Sequence, residues 1–261
     1  MGILLATTNL AEAATANLAV SSEAPGLGLR AVLTPQVSDI WRSAAWGATT
    51  IDLRIDLGAA ASIGLVAIAA PRDGLLPGAG ATVQLTADAA TLDGAAALDT
   101  GAEALGTAMA RFGIWGWSSA TPIVARYLRL RFTGAAADAY LQLGRVWVGP
   151  ALITTRQASY GFGLGATDPG ISARASNSGV RDVQRGTAYR TLAMAVDTLT
   201  TAEATWLESA VLSVGGTGQV FAARLDTDLP GGMFGAFSRP PTLTRASHAL
   251  WRGDFQIEED L

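Results

Sequence analysis

Two tryptophans two residues apart, in Ile114-Trp115-Gly116-Trp117-Ser118, are the side chains best suited to hold a ligand. In an extended segment, positions i and i+2 share a face, so Trp115 and Trp117 stand on one side with glycine between them. On a loop rim such a pair is a platform for a sugar ring or a partner. Inside a sandwich it is core, and this reading is favoured because large aromatics dominate core energetics. Trp115 and Trp117 are the candidate ligand or partner surface. Trp41 and Trp46 are expected in the core, Trp206 on a helix stripe and Trp147 on a strand.

The catalytic inventory is poor. His248 is the single histidine, so a histidine metal cluster is excluded, and in Arg245-Ala246-Ser247-His248-Ala249-Leu250 it reads as a turn or surface residue. Cysteine is absent, which removes disulfides, thiolate metal sites and a cysteine nucleophile. All 18 basic residues are arginine, and without lysine there is neither a Walker A phosphate loop nor a Schiff-base residue. Gly161-Phe162-Gly163-Leu164-Gly165 departs from the dinucleotide fingerprint and has no helix pattern after it, so it reads as a loop. Asp52 and Asp56 share the polar face of one strand at about 13 Å, too far for a glycosidase pair, and are expected to be solvated. Asp226 and Asp228 precede the turn Leu229-Pro230-Gly231-Gly232, where aspartates bond the backbone; a calcium site is the alternative there. No catalytic, cofactor or metal residue is nominated, and the chain is not expected to be an enzyme.

Composition narrows the partners. The 18 basic and 22 acidic residues leave a net charge of -4, which is not the basic footprint of a nucleic-acid binder. A mean hydropathy of +0.30 comes from alanine-rich stretches such as Ala59-Ala60-Ala61, and no window approaches a membrane span. Met1 to Ala6 lacks a positive leader region and Glu12 interrupts the apolar stretch, so synthesis in the cytoplasm without membrane insertion is expected.

The elements that must position these residues show strict alternation. Ile51-Asp52-Leu53-Arg54-Ile55-Asp56-Leu57 turns four apolar side chains one way and three charged ones the other, and Gly58 ends it. Tyr127-Leu128-Arg129-Leu130-Arg131-Phe132 repeats the period, Val83 and Leu85 show it briefly, and in 141–148 the phase slips at Gly144, as a β-bulge requires. Turn clusters at 71–74, 76–80 and 93–94 separate the runs. The stretches 11–20 and 88–110 are ambiguous, since alanine there suits helix and long loops suit a jelly roll equally. After Gly149-Pro150, residues 154–188 are polar and glycine-rich. A strand over 189–196 leads into a helix with a Thr200/Glu203 capping box, a Trp206, Leu207, Ala210, Val211 stripe and a Gly215-Gly216 stop. Strands are predicted at 218–225, 233–238, 242–247 and 250–258. The fold is therefore expected to be mainly β, an antiparallel jelly-roll sandwich over 1–150 followed by a smaller β-rich domain with one helix over 151–261.

Trp41, Trp46, the Ile51 to Leu57 strand, Ile63-Gly64-Leu65-Val66-Ala67-Ile68, Ala125 to Leu130 and Leu143 to Gly149 together resemble the strands of discoidin-like, galactose-binding-like jelly rolls over about residues 30–149. That resemblance implies binding of glycans, lipids or proteins through loops at one end, without catalysis. The whole layout resembles tail-tip and baseplate proteins of siphophages and gene-transfer agents. The layout implies a structural component of a bacteriophage virion tail, forming homo-oligomers and contacting other tail proteins. The alternative is a carbohydrate-binding receptor-recognition module for host surface glycan, with Trp115 and Trp117 as its platform. A glycan-active hydrolase is the third reading, for which no acid and base can be named.

Overall fold

The computed structural model describes residues 2–71, 74–92, 96–110, 112–156, 163–174, 181–184, 186–225 and 232–260. The turns read at 71–74 and 93–94, the glycine-rich loop beginning at Gly161 and the Asp226/Asp228 turn lie wholly or partly outside the described residues. The described chain is mainly antiparallel β, a jelly-roll-like sandwich followed by a smaller β-rich part carrying a 14-residue helix. It divides into two units, one built on Met1–Thr155 with Val220–Met233, the other on Arg156–Gln219 with Phe234–Asp260.

Two 20-residue strands, Thr50–Ala69 and Ile114–Thr133, organise the first unit and pair along most of their length. Ile51, Leu53, Ile55 and Leu57 are buried, and Asp52, Arg54 and Asp56 face outward, as the alternation requires. After Asp56 the register slips until Ala61. Gly58 sits in that slip at φ 80°, and a Cβ there would come 2.8 Å from Thr15, so glycine alone fits the bend. Before the bend the strand lies between Asn17–Val20 and residues 127–133, which also pair with Thr82–Asp88; after it, the neighbours are Arg145–Gly149 and residues 114–125. The two long strands thus serve both layers. Leu53, Leu85 and Leu130 from one layer share a core cluster with Ile63, Val66, Ile68 and Val146 from the other. Each such fully buried aliphatic side chain contributes about 1.5–3 kcal/mol over its exposed state.

Trp41 and Trp46 belong to that core, as expected. The phase slip at Gly144 is a change of partner: Gln142–Leu143 pairs with Trp41–Arg42, whereas Arg145–Gly149 pairs with Leu65–Ala69. Gly144 permits the change because a Cβ there would lie 2.0 Å from the Val37 carbonyl oxygen. Of the ambiguous stretches, residues 17–20 form a strand and Leu105–Met109 a short helix. The strand Ile3–Ala6 completes the unit, pairing with Leu152–Ile153 on one side and with residues 221–224 on the other.

In the second unit, Tyr189–Thr200 pairs with Gly163–Thr167 and with Leu250–Glu259. The strands read separately at 233–238 and 242–247 belong to one strand, Gly232–Arg245, whose register against Leu250–Glu259 shifts at 237–239 and again at 239–242. Pro240 and Pro241 lie in the second shift, where a missing N–H costs no ladder bond. The helix Thr201–Val214 starts at the predicted capping box: Thr200 Oγ1 accepts from the Glu203 N–H at 3.3 Å, and Glu203 Oε2 accepts from the Thr200 N–H at 2.7 Å. Leu207 and Ala210 are buried beneath it, and the Gly215 N–H closes it on the Val211 carbonyl at 2.8 Å. Among the described residues no helix is long and apolar enough to cross a membrane.

Candidate ligand-binding site

Trp115 and Trp117 share a face, as their spacing predicts, and it is the inward one. They stand opposite Ile68 and Val66, both members of the sandwich core. Trp115 is 4% exposed, and its indole N–H donates to Glu103 Oε2 at 3.0 Å. Trp117 is half-buried and packs against the same core. The two rings do not form a joint exposed platform.

Trp115 nevertheless borders a cavity of about 400 Å³, and Trp117 does not line it. The cavity wraps one edge of the strand. Residues 114–118 pair only with 65–69 among the described residues, so the other edge of that segment is open. Trp115 and Ser118, on opposite faces of the segment, both reach the cavity, and Leu65, Phe221 and Arg224 complete its principal walls. Glu103 enters from the two-residue strand Glu103–Ala104, held where Val83 faces Glu103 in the ladder with Thr82–Asp88. Its Oε2 is occupied by the indole, while Oε1 meets no donor among the described residues. The Ser118 hydroxyl has no hydrogen-bond partner there either. Glu103, Ser118 and Arg224 therefore line one cavity with an indole, a phenyl ring and aliphatic residues, a combination suited to a small ligand with both apolar and hydroxyl-bearing faces.

Sequence reasoning nominated Trp115 but missed Glu103, Ser118, Phe221 and Arg224. Glu103 is one of two carboxylates in the described part of 96–110, and that isolation was its only local signal. Phe221 and Arg224 lie more than 100 positions away and carried none. A second cavity of about 410 Å³, bounded by Glu12, Asn17, Leu29, Arg30, Leu33 and Thr34 among others, has no aromatic wall. Its Glu12 is tied to Asn9, at 2.8 Å, and to the buried Arg145.

The remaining candidates are placed as follows. Asp52 and Asp56 are not simply solvated. Arg131 donates to both oxygens of Asp52 at 2.8 and 3.1 Å, and Arg126 to both of Asp56 at 2.7 and 2.9 Å. The opposite strand supplies these partners, Arg131 directly across from Asp52 and Arg126 next to Tyr127, which faces Asp56; a single-strand reading does not reveal them. The Arg131 hydrogen bond holds the Asp52 carboxyl below its ordinary value against the opposing effect of burial, and Arg126 together with the Gly58 N–H does the same for Asp56. His248 is exposed in a hairpin turn, where its carbonyl accepts from Arg245 at 2.7 Å. Among the described residues no cluster of three or more histidines and carboxylates is arranged to hold a metal ion.

No family model matches the sequence, and no curated protein matches it. Among solved structures, the lectin domain of lectinolysin complexed with Lewis B antigen is similar over 54% of this chain and 96% of its own, with 16% identity and a TM-score of 0.43. The family 32 carbohydrate-binding module of C. perfringens NanJ in complex with galactose matches over 56% and 98%, with 13% identity and a TM-score of 0.44. A fucose-binding module of Streptococcus pneumoniae matches over 55% and 95%, with 14% identity and a TM-score of 0.41. At these TM-scores the likeness assigns neither ligand nor activity to this chain.

Proposed function

We propose that the first unit is a non-catalytic glycan-binding module whose ligand sits in the cavity beside Trp115. The observation that carries this reading is the pairing of a fixed aromatic wall with unengaged polar atoms. Glu103, Ser118 and Trp115 line the same space, so a sugar there can lay its C–H face on the apolar walls and its hydroxyls on the carboxylate and serine. Trp117 packs against the core and is no part of the proposed site. Hydrolysis is not proposed, because Glu103 is the one carboxylate lining the cavity among the described residues and glycoside cleavage ordinarily needs two. Neither the described residues nor the similar structures speak for a role in a phage tail or for oligomerisation.

A glycan array followed by calorimetry on the best hit tests the reading. Glu103→Gln and Ser118→Ala are expected to weaken binding about tenfold or more, since each removes a buried hydrogen bond to the ligand. Trp115→Phe keeps the core filled but removes the indole donor that fixes Glu103, and is expected to act in the same direction. A wild-type protein that binds no glycan, or affinity unchanged in both polar variants, overturns the assignment.

A further inference from the structure

The outward face of the other layer carries a feature that the cavity does not use. Arg54 and Arg129 stand directly opposite each other, Arg129 is opposite Thr86, and Thr86 is opposite Asp99. Like charges facing across a ladder repel, so this row is unfavourable by itself. No carboxylate hydrogen-bonds either arginine among the described residues; the nearest ion-pair contact is Arg54 with Asp52 at 3.9 Å. The acids nearby, Asp52 and Asp99, attract Arg129 through space, but among the described residues their hydrogen bonds go to other groups. Asp52 gives both oxygens to Arg131, while Asp99 Oδ1 accepts from Gln84 at 2.8 Å and from the Gly101 N–H at 2.9 Å.

Beneath the arginines, Thr86 is 4% exposed although its strand alternation turns it outward, and its hydroxyl has no hydrogen-bond partner among the described residues. The buried Nε of Arg129 has none either. Leaving such groups unsatisfied is costly, and both belong to one row of one face. Further along the strands the next row holds the Asp52–Arg131 pair and Gln84, and the last row holds three hydroxyls, Thr50, Thr133 and Thr82.

The geometry points to a second ligand site, in which Arg54, Arg129 and Thr86 bind an oxyanion, a carboxylate or sulfate ester, carried by a polysaccharide. An oxyanion between the two guanidiniums relieves their repulsion and accepts forked hydrogen bonds from both. Movement of the Arg129 side chain toward it brings the Thr86 hydroxyl to the same ligand. The polar rows beside the site, the last of them hydroxyl-bearing, suit a saccharide chain, whereas nucleic acid needs a broader basic surface than a row flanked by aspartates. The site is independent of the Trp115 cavity.

Affinity electrophoresis against dextran sulfate and polygalacturonate, with dextran and fully esterified pectin as uncharged counterparts, tests the proposal and separates sulfate from carboxylate. Binding to at least one polyanion and to neither neutral polymer is expected, weakening as salt rises. Arg54→Gln and Arg129→Gln are each expected to weaken it about tenfold or more, as for loss of a charge-assisted hydrogen bond. Arg239→Gln, on an exposed side chain of the second unit, is expected to leave it unchanged. Arg54 is 60% exposed, so its replacement leaves the core intact. Failure of the wild type to bind either polyanion, an equal loss in Arg239→Gln, or no loss in both test variants overturns the proposal.

Discussion

The two units treat apolar side chains differently. In the first, long strands with a two-residue period place Leu53, Leu85 and Leu130 between two layers that cover each other. The second buries Val196, Phe255 and Ile257 but leaves Leu164, Ile171, Val183 and Leu212 exposed, on short strands such as Gly163–Thr167 and on the open side of the helix, whereas in the larger first unit the exposed ones among the described residues are Leu75, Leu76 and Val124. The difference shows that apolar content alone does not close a core. An alternating pattern closes one only when a second layer with a matching pattern meets it, and glycine-rich strands such as Gly-Leu-Gly-Ala-Thr supply no such match.

That contrast can be broken most sharply by truncation. Leu130→Ala is expected to cost about 2–5 kcal/mol in denaturant unfolding, because the vacated space lies between two packed layers. Leu212→Ala, on a side chain that is 80% exposed, is expected to change stability by about 0.5 kcal/mol or less. Equal costs at the two positions would show that the first unit's core is not the tighter one. Thr200→Ala sharpens the second unit's side of the comparison. Its helix relies on a local cap, so loss of the Oγ1 acceptor is expected to cost about 1 kcal/mol, read as a lower unfolding midpoint.

Another small effect concerns the Asp52–Arg131 pair on the outside of the first unit. The folded carboxyl titrates below 3.8, its ordinary value, so its contribution is present above that pH and is lost as pH falls through the folded value. Asp52→Asn is expected to remove about 0.2–1 kcal/mol at neutral pH and to flatten the acid limb of the stability profile. An acid limb identical in variant and wild type would show that the pair adds nothing.

Much of the strand framework was legible because burial follows a local period: 51–57, 83–85 and 127–132 needed only alternation. The Thr200/Glu203 cap was legible for the same reason, since its two partners are three positions apart. Gly144 was half-legible. The slip in pattern marked an irregularity, but the change of partner depends on Trp41–Arg42 and on the approach of Val37, both about 100 residues away. The candidate site was read in part. Trp115 and Trp117 could be placed on one face from spacing, yet which way that face points, and the presence of Glu103, Phe221 and Arg224, depend on pairings that no local pattern encodes. The Asp52 and Asp56 partners were hidden likewise, because they sit on the opposite strand.

The ladder joining residues 3–6 to 221–224 has a consequence for how the protein is made. The strand at residues 3–6 is synthesised more than 200 residues ahead of one of its two neighbours. A nascent chain released at the end of the sandwich sequence therefore leaves a bare strand edge, an invitation to aggregate. Closing so long a loop is also slow, so the final maturation step of the first unit is expected to follow synthesis of residues 221–224.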